Sequence, residues 1–523
     1  MTAIVRNNFR VYNARKFISS LLPVSNVYSN SLYLGIGRPE PWSAIDDNPL
    51  PPGNNVLTES KDWADLMFMK RIFAQNISHC VPKRVWSANS LWDIYRADWN
   101  GYSTSPSNNS VTSDVNGEVP TDISQVPYYC STSSNKVYVC LYNKKDNSGN
   151  IVPSTVNPDL GTTTVPGTVG AYTTPSTTGI KYCSDGYVWL EIGNSVDLVA
   201  SFNTVDYYPV QTTTDTATGN SADQYTLQVN SASYKGGVYS VLVPRNQRGS
   251  GYNSGSSGDY EIKNPVAGTV AVDGSGTPLV KIIGDGSGLE YVVIFGSGGT
   301  LENIVITNPG SGYTWATVQI VAAGGTGAQA TAILTPMYGI GVDPVKTLNA
   351  FNVMLNTTIY DDENDYSSSV DHGSDITTLS EYRKVCLVSN PKLQNGTLAT
   401  INKLDMTYGL ISATPPSGVN PGALLTHTNN KCVLRVVDSG TTSSAKGIVR
   451  CVQTDFDLPA TGSNEDPTLA TYNVSGGGTY VVNDSITLPD AAYGSGDIIY
   501  TDYRRPITRA VQQSETFLIV IEF

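Results

Sequence analysis

The apolar segments of this chain are densest toward its two ends. Leu34–Ser43, near the start, has the sequence LGIGRPEPWS, and Gln513–Phe523 has the sequence QSETFLIVIEF, which is typical of a β-strand. Between the ends the chain is rich in Gly, Ser and Thr. Because an apolar C-terminal strand has to be buried, the pattern predicts one core built from both ends, with insertions between them.

The composition favours strands and turns over helices. The 523 residues include 48 Gly, 29 Pro and 31 Tyr, but only 6 Met and 10 Phe. Gly and Pro are typical of turns, and Tyr is typical of strands and contact surfaces. Charged residues make up 15% of the chain, against about 25% in typical soluble proteins. We therefore expect a mainly β protein with much surface for contacts.

The charge and hydropathy patterns exclude two classes of partner. The formal net charge is −13, whereas binding to nucleic acid needs a basic face, so we predict no nucleic-acid partner. Arg6, Arg10, Arg15 and Lys16 are not followed by an apolar stretch, so no signal peptide is predicted. No apolar run reaches the roughly 20 residues that span a bilayer. We predict no membrane insertion and synthesis in a cytoplasm.

The cysteines are far apart in the sequence, and none forms a CxxC motif. Their odd count and wide spacing predict buried, reduced thiols rather than a disulfide framework or a metal site. They are Cys80, Cys130, Cys140, Cys183, Cys386, Cys432 and Cys451.

Two helices are predicted near the N-terminus, and strands follow. Apolar residues recur at helical spacing over residues 11–22, and a second helix is predicted from Thr58, as its N-cap, through Phe73. Residues 101–125 and 146–180 are predicted to be long surface loops or partly ordered excursions. The strand candidates are Leu32–Ile36, Lys136–Tyr142, Gly186–Ile192, a strand that begins near Ala350, Tyr382–Ser389, Cys432–Val437 and Phe517–Ile521.

Residues 245–335 have the composition of a separate module. Arg248-Gly-Ser-Gly-Tyr252 recurs as Pro309-Gly-Ser-Gly-Tyr313, which predicts a small β-sandwich or curled sheet with two related halves. The chain would then have three parts: residues 1–244 and 336–523 form a core β domain, and 245–335 form an inserted Gly/Ser-rich β module. Strands within the module are expected at Val292–Phe295, Leu301–Thr307 and Ala316–Val321.

Few residues are placed for catalysis. Asp361-Asp-Glu363 and Asp365 lie in polar sequence, and we interpret them as a solvated loop rather than as glycosidase carboxylates or a calcium site. Gly284-Asp-Gly-Ser-Gly288 lacks the full order of a calcium repeat and is interpreted as a turn. No nucleophile elbow, P-loop or dinucleotide fingerprint occurs. The three histidines are His79, His372 and His427, the last interpreted as a loop residue. We therefore predict no enzymatic activity, no cofactor and no metal.

Several short segments, mostly outside residues 245–335, carry a resemblance to a known family. In chain order they are Gly37-Arg-Pro-Glu-Pro-Trp42, Val81-Pro-Lys-Arg-Val-Trp86, Lys136-Val-Tyr-Val-Cys-Leu141, Asp185-Gly-Tyr-Val-Trp189, Asp343-Pro-Val345, Tyr382-Arg-Lys-Val-Cys-Leu-Val388, Arg505-Pro-Ile507 and Gln513-Ser-Glu515. The ordered series resembles the baseplate wedge subunit of T-even-like contractile-tailed bacteriophages.

The resemblance implies both a fold and a role. The implied fold is a two-layer β-sandwich core, here with two N-terminal helices and the inserted Gly-rich module. The implied role is that of a structural protein of the virion, assembled in the host bacterial cytoplasm. It would form a homodimer within each wedge and hold other baseplate wedge proteins while the baseplate rearranges on sheath contraction.

Six residues are candidate structural or interface anchors. Two interpretations stay open, because a Trp or Arg side chain can fix a loop to its own core or can bind a neighbouring subunit. The six are Arg38, Trp42, Trp86, Trp189, Arg504 and Arg505.

Two other functions remain as alternatives. A tail-fibre or adhesin-type protein that binds host surface glycans would also be rich in Gly, Ser, Thr and Tyr, but fibre proteins are usually trimers with long repeats. A polysaccharide-cleaving tail enzyme would rest on Asp361 and Glu363 alone.

Overall fold

The protein is mainly β, with antiparallel sheets and few helices, as the composition predicted. The structure is a computed structural model, and it describes residues 5–23, 27–42, 45–96, 123, 126–146, 150–164, 176–214, 216, 220–252, 260–263, 271–272, 278–296, 299–320, 325–360, 381–414, 416–428, 433–441, 446–453, 471–508 and 513–523.

The helices and strands of these ranges follow in chain order. The α-helices are α1 (Asn7–Ser20), α2 (Val56–Ala64), α3 (Val196–Phe202), α4 (Asn220–Ala232) and α5 (Pro344–Thr347). The first strands are β1 (Leu32–Gly37), β2 (Leu66–Ile72), β3 (Ile77–Pro82), β4 (Tyr129–Ser131), β5 (Lys136–Tyr142), β6 (Ile180–Tyr182), β7 (Val188–Asn194), β8 (Tyr207–Val210), β9 (Val238–Leu242) and β10 (Arg248–Ser250).

The strands continue through the Gly-rich region and the C-terminal part. Those of the Gly-rich region are β11 (Tyr260–Lys263), β12 (Ala271–Val272), β13 (Pro278–Gly284), β14 (Ser287–Gly296), β15 (Thr300–Ser311), β16 (Ala316–Ile320), β17 (Thr326–Ala328) and β18 (Thr331–Leu334). Further along are β19 (Asn352–Tyr360), β20 (Glu381–Ser389), β21 (Lys403–Asp405), β22 (Tyr408–Ser412), β23 (Leu424–His427), β24 (Val433–Thr441), β25 (Gly447–Gln453), β26 (Thr471–Val474), β27 (Thr479–Val481), β28 (Ser485–Thr487), β29 (Asp497–Thr508) and β30 (Ser514–Glu522).

The second predicted helix is about half helix and half strand. Its N-cap is Asn55 rather than Thr58, because the Asn55 side chain accepts a hydrogen bond from the Thr58 backbone N–H at 3.0 Å. The helix ends at Ala64, and β2 follows. The run Leu66-Met-Phe-Met69 is buried throughout. A strand flanked by neighbours on both sides favours such a continuous apolar run, and this overrode the helical spacing.

The chain divides into two compact units. Unit 1 comprises Met1–Ala14, Ser78–Met354 and Val520–Phe523, and unit 2 comprises Arg15–Ile77 and Leu355–Ile519. Each unit therefore contains segments from both the N-terminal and the C-terminal part of the chain. This division differs from the three parts predicted from the sequence, whose boundaries stay a prediction.

The five-stranded sheet of unit 2 brings the two ends of the sequence together. Its strand order is β21-β2-β1-β20-β29. The strand β1 pairs antiparallel with β2 on one side and with β20 on the other, so that Leu34 faces both Lys70 and Leu387. All six residues of β1 are buried. Segments from near both ends therefore share this sheet, whereas the C-terminal strand β30 belongs to a different sheet.

A second sheet of unit 2 has a core of its own. It contains seven strands in the order β27-β26-β23-β24-β25-β22-β28. Leu410, Leu425, Val436, Val449 and Tyr472 lie in one buried cluster on this sheet. The sequence did not predict a separate body here. His427 ends β23 and packs edge-on against Tyr472, so its interpretation as a loop residue was wrong.

Unit 1 is built around a four-stranded sheet with the order β4-β5-β7-β6. The predicted strand Lys136–Tyr142 is β5. It pairs with β7, where Cys140 lies opposite Trp189. One face of this sheet carries the main cluster of unit 1, which includes Val139, Leu190 and Tyr128.

The two Gly-Ser-Gly-Tyr segments of unit 1 each lie at the end of an antiparallel strand pairing. Ser250 in β10 pairs with Thr326 in β17, and Ser311 in β15 pairs with Ser287 in β14. Gly249 and Gly310 have φ angles of +61° and +62°, which favour glycine. A Cβ atom on Gly310 would also lie 2.4 Å from the Ser287 carbonyl oxygen. Backbone pairing thus accounts for the glycines of this repeat.

Among the described residues, no helix is both long enough and apolar enough to cross a membrane.

Candidate functional site

The segment that follows β1 leaves the five-stranded sheet through a backbone turn that only glycine allows. A Cβ atom on Gly37 would lie 2.4 Å from the Asp65 carbonyl oxygen and 2.9 Å from the Leu66 Cα atom. Arg38 then adopts a left-handed φ of +59°, and its N–H donates to the Asp65 carbonyl at 2.8 Å. This close approach fixes the direction in which the Arg38–Trp42 loop departs.

Trp42 fastens this loop to the C-terminal strand β29. Its indole Nε1–H donates to the Arg504 carbonyl oxygen at 2.9 Å, and its ring lies 4.6 Å from the ring of Tyr503. The Arg38 guanidinium lies over the Trp42 ring, 4.0 Å from the ring centre. Such cation–π contacts and indole hydrogen bonds hold a partly exposed loop in one position.

Arg383 in β20 also binds the Arg38–Trp42 loop. Its guanidinium forms a bidentate pair with Asp46, with Nε–Oδ1 and Nη2–Oδ2 distances of 2.6 and 2.7 Å, and Nη1 donates to the Pro39 carbonyl at 3.0 Å. The hydrogen bonds from Arg383 hold the pKa of Asp46 below its usual value. Asp46 also accepts the Trp42 backbone N–H at 2.9 Å. Bidentate geometry of this kind adds directional specificity as well as energy.

Beneath the loop lies a buried charge cluster. The Lys384 ammonium, also in β20, lies 2.5 Å from Asp65 Oδ1 and 2.8 Å from Asp62 Oδ1. The three side chains are 2%, 8% and 3% exposed, respectively. Burial raises the pKa of Asp65, and the neighbouring Lys384 opposes that rise. We call these three residues the Lys384 cluster.

The Lys384 cluster is hydrogen-bonded on its outer sides as well. The hydroxyls of Tyr503 and Thr501, in β29, donate to Asp62 at 2.9 and 3.1 Å. Arg38 Nη1 lies 3.5 Å from Asp65 Oδ2. Polar contacts therefore join α2, the residue that precedes β2, and the strands β20 and β29. Their chemistry is suited to holding distant chain segments in one geometry.

The structure brings three of the six predicted anchors together and separates the others. Arg38, Trp42 and the backbone of Arg504 meet in unit 2, and the Arg504 side chain pairs with Asp502 at 2.6 Å. The Arg505 side chain is exposed on β29. A partner contact for these residues stays a prediction.

Trp86 and Trp189 lie in a different place, a buried cluster of unit 1. Trp189 is fully buried and lies 5.8 Å from the rings of both Trp92 and Tyr187. Trp86 packs at the edge of this cluster and donates from Nε1 to Ser154 Oγ at 3.0 Å. The geometry of Trp189 fits an anchor of its own core.

Sequence inspection missed the charged partners of the loop. Asp46, Asp62 and Asp65 lie in none of the motifs above, and Arg383 and Lys384 lie in the Tyr382–Val388 segment, for which the sequence predicted no charged contact. One feature could have found them: Arg383 and Lys384 are adjacent charges inside an otherwise apolar strand sequence, YRKVCLV. Charges in such a strand are buried, and buried charges need partners.

The structure adds little about the acidic loop and the histidines that the sequence analysis considered. The acidic loop at residues 361–365 and His372 lie outside the described residues. His79 in β3 makes a hydrogen-bond contact from Nδ1 to the Ala350 carbonyl at 3.0 Å. In the part of the chain that the structure describes, no group of three or more His, Cys, Asp or Glu side chains is placed to hold a metal ion.

The described cysteines are buried thiols, and none of them forms a disulfide. Burial raises the pKa of Cys80, Cys183 and Cys386 to about 12, so these thiols are poor nucleophiles at neutral pH. The buried thiols are Cys80, Cys130, Cys140, Cys183, Cys386 and Cys451, while Cys432 lies outside the described ranges.

Comparisons with known proteins do not place the chain in a family. No protein-family model matches it, and no curated protein matches it. The resemblance to baseplate wedge subunits therefore stays a prediction.

The tight turn at Gly37 gives a stability prediction. Gly37→Ala should lower the free energy of unfolding of unit 2 by about 1–3 kcal/mol, because the new methyl group would force the β1 and β2 backbones apart. Gly440→Ala is the matched control, since a Cβ atom there meets nothing within 4 Å and the residue also lies in a strand. Urea unfolding of the two variants tests this, and equal stability would refute the close approach.

The Asp46–Arg383 pair gives a prediction about pH. Because the folded-state pKa of Asp46 is lowered, the pair stabilises the fold above the unfolded-state pKa, and this contribution is lost as the pH falls through the folded-state pKa. Asp46→Asn should therefore destabilise the protein more at about pH 6 than at about pH 3. The control is Asp47→Asn, at an exposed neighbour. A loss that is the same at both pH values would contradict the ion pair.

Proposed function

We propose that this chain is a structural component of a phage tail baseplate wedge, which binds neighbouring wedge proteins and holds them during sheath contraction. One observation carries the proposal: motif segments that are far apart in the sequence meet in one place. The Gly37–Trp42 segment contacts Arg383 through the Pro39 carbonyl and Arg504 through Trp42. Some of the motifs that carry the resemblance therefore also lie next to each other in space.

The mechanism that we propose is binding by a stiff body. Ion pairs and hydrogen bonds around the Arg38–Trp42 loop hold that loop to β20 and β29, so a partner bound at the loop would be held in a defined orientation. Arg505 and the exposed part of Trp42 are the proposed points of contact. The chain would act without catalysis or a cofactor.

The finer architecture belongs to the same proposal. We propose a two-layer β-sandwich core with the residues 245–335 as an inserted module. Most strand pairings of this region support a distinct module, because β10 pairs with β17, β11 with β14, β14 with β15, β12 with β13, and β13 with β16. The last strand, β18, pairs instead with β9, which precedes the proposed boundary at residue 245. The module would add contacts at the periphery of the baseplate.

The proposed protein is a homodimer in the virion, made and assembled in the host bacterial cytoplasm. The test is the solution mass of the purified full chain by size-exclusion chromatography with light scattering, at several concentrations. A dimer supports the proposal. A trimer would contradict it and favour the adhesin alternative, and a monomer at every concentration would remove the homodimer.

A further inference from the structure

The Lys384 cluster combines the groups that a spontaneous amide-forming reaction needs. One amine lies within hydrogen-bond distance of two carboxyl groups, and all three are nearly excluded from water. We propose that Lys384 and Asp65 form an intramolecular isopeptide bond, with Asp62 as the group that transfers the proton. The proposal is independent of the proposed baseplate function.

The environments of the two carboxyl groups suit two different roles. Burial raises the pKa of Asp65, which favours the protonated acid, the form that can lose its hydroxyl as water. Asp62 accepts hydrogen bonds from Tyr503 and Thr501, which hold its carboxylate in place as a proton acceptor. Paired carboxyl groups in different environments commonly divide acid and base roles in this way.

The amine is positioned for attack on Asp65. Lys384 Nζ lies 2.5 Å from Asp65 Oδ1, and it also donates to the Lys61 carbonyl at 3.4 Å. Effective concentrations in such fixed geometries greatly exceed those of a bimolecular reaction.

The reaction balances without any co-reactant. A proton passes from the Lys384 ammonium to Asp65, which leaves a neutral amine and a neutral carboxylic acid. The amine nitrogen attacks Asp65 Cγ, and the new C–N bond forms while one amine proton passes to Asp62. Asp62 returns this proton to the departing Asp65 hydroxyl, which leaves as water. The product is an amide, and Asp62 is regenerated as a carboxylate.

Arg38 occupies the position of an oxyanion stabiliser. Its Nη1 lies 3.5 Å from Asp65 Oδ2, the oxygen that carries negative charge in the tetrahedral intermediate and then remains in the amide. A fixed cation at that point lowers the barrier to attack. The resulting amide would join β20 covalently to the residue that precedes β2. Such a bond would prevent these segments from separating under load.

The intact mass of the purified full chain tests the proposal directly. We expect the denatured protein to be lighter than its sequence by one water molecule, and tryptic digestion to give a branched peptide that joins Lys384 to Asp65. An unmodified mass would overturn the proposal. Loss of water without the branched peptide would also overturn it, and a bond from Lys384 to Asp62 would overturn the assigned roles.

Two variants separate the roles of the carboxyl groups. Asp62→Asn should leave most of the protein at its full mass, because it removes the proton acceptor and keeps the shape. The control variant Asp497→Asn, at an exposed position in β29, should lose one water molecule, as the chain without substitutions does. Circular dichroism shows whether the Asp62→Asn variant is folded. If it is not folded, the intact mass of the chain without substitutions decides whether the isopeptide bond forms.

Discussion

Lys384→Met is expected to lower the free energy of unfolding of unit 2 by about 3–5 kcal/mol. The reason is that Asp62 and Asp65 would remain buried without the ammonium group that pairs with both of them. Removing one partner of a buried ion pair costs far more than replacing the whole pair with neutral groups. In a chain that carries the proposed isopeptide bond, the loss would come from the missing covalent bond instead, and the intact mass distinguishes the two cases. Urea unfolding followed by circular dichroism measures the effect.

Two further variants show whether charge is the cause. Lys392→Met removes a lysine that is exposed in the same unit and should leave stability nearly unchanged. The triple variant Asp62→Asn, Asp65→Asn and Lys384→Met removes all three charges and should recover most of the stability. If the triple variant were as unstable as Lys384→Met, lost packing rather than an unpaired charge would explain the result.

Trp189→Ala is expected to destabilise unit 1 by about 3–5 kcal/mol, the usual range for truncating a large buried aromatic side chain. Trp189 is fully buried and packs against Trp92 and Tyr187. Thermal or urea unfolding of the variant gives the size of the loss. Trp315→Ala is the matched control, because Trp315 is about half exposed in the same unit.

A conservative change at Trp189 shows whether its ring packing or a hydrogen bond of its indole N–H stabilises unit 1. The buried Trp189 Nε1 has no hydrogen-bond partner among the described residues. Trp189→Phe should therefore retain more stability than Trp189→Ala, since most of the ring packing stays. If both changes left stability intact while weakening association of the chain, Trp189 would be an interface residue rather than an anchor of its own core.

Strand positions were largely predictable from the sequence, whereas the partition of the chain was not. Strands such as β5 and β20 are short apolar runs between turn residues, and such local patterns are directly visible. The predicted helix from Thr58 to Phe73 was wrong only beyond Ala64, because the burial of β2 between two strands is a tertiary effect. The two units also depend on long-range pairing, which local sequence does not reveal.

Only part of the candidate site around the Arg38–Trp42 loop could be predicted from the sequence, for a similar reason. Arg38 and Trp42 stand out because they lie in a Pro-rich loop directly after an apolar strand. Their partners do not stand out: Asp65 and Lys384 are 319 positions apart and meet only after β1, β2 and β20 have formed one sheet. A buried lysine predicts that a carboxylate is near it, but not which one.

Segments that are far apart in the sequence are expected to form one cooperative body in unit 2. Native-state hydrogen exchange measures this directly, because the amides of β1, β20 and β29 each report the free energy of the opening that exposes them. We expect the most protected amides of all three strands to exchange with the same opening free energy, and to lose protection together in Lys384→Met. Independent exchange of β29, with β1 and β20 still protected, would show that these strands do not open as one body.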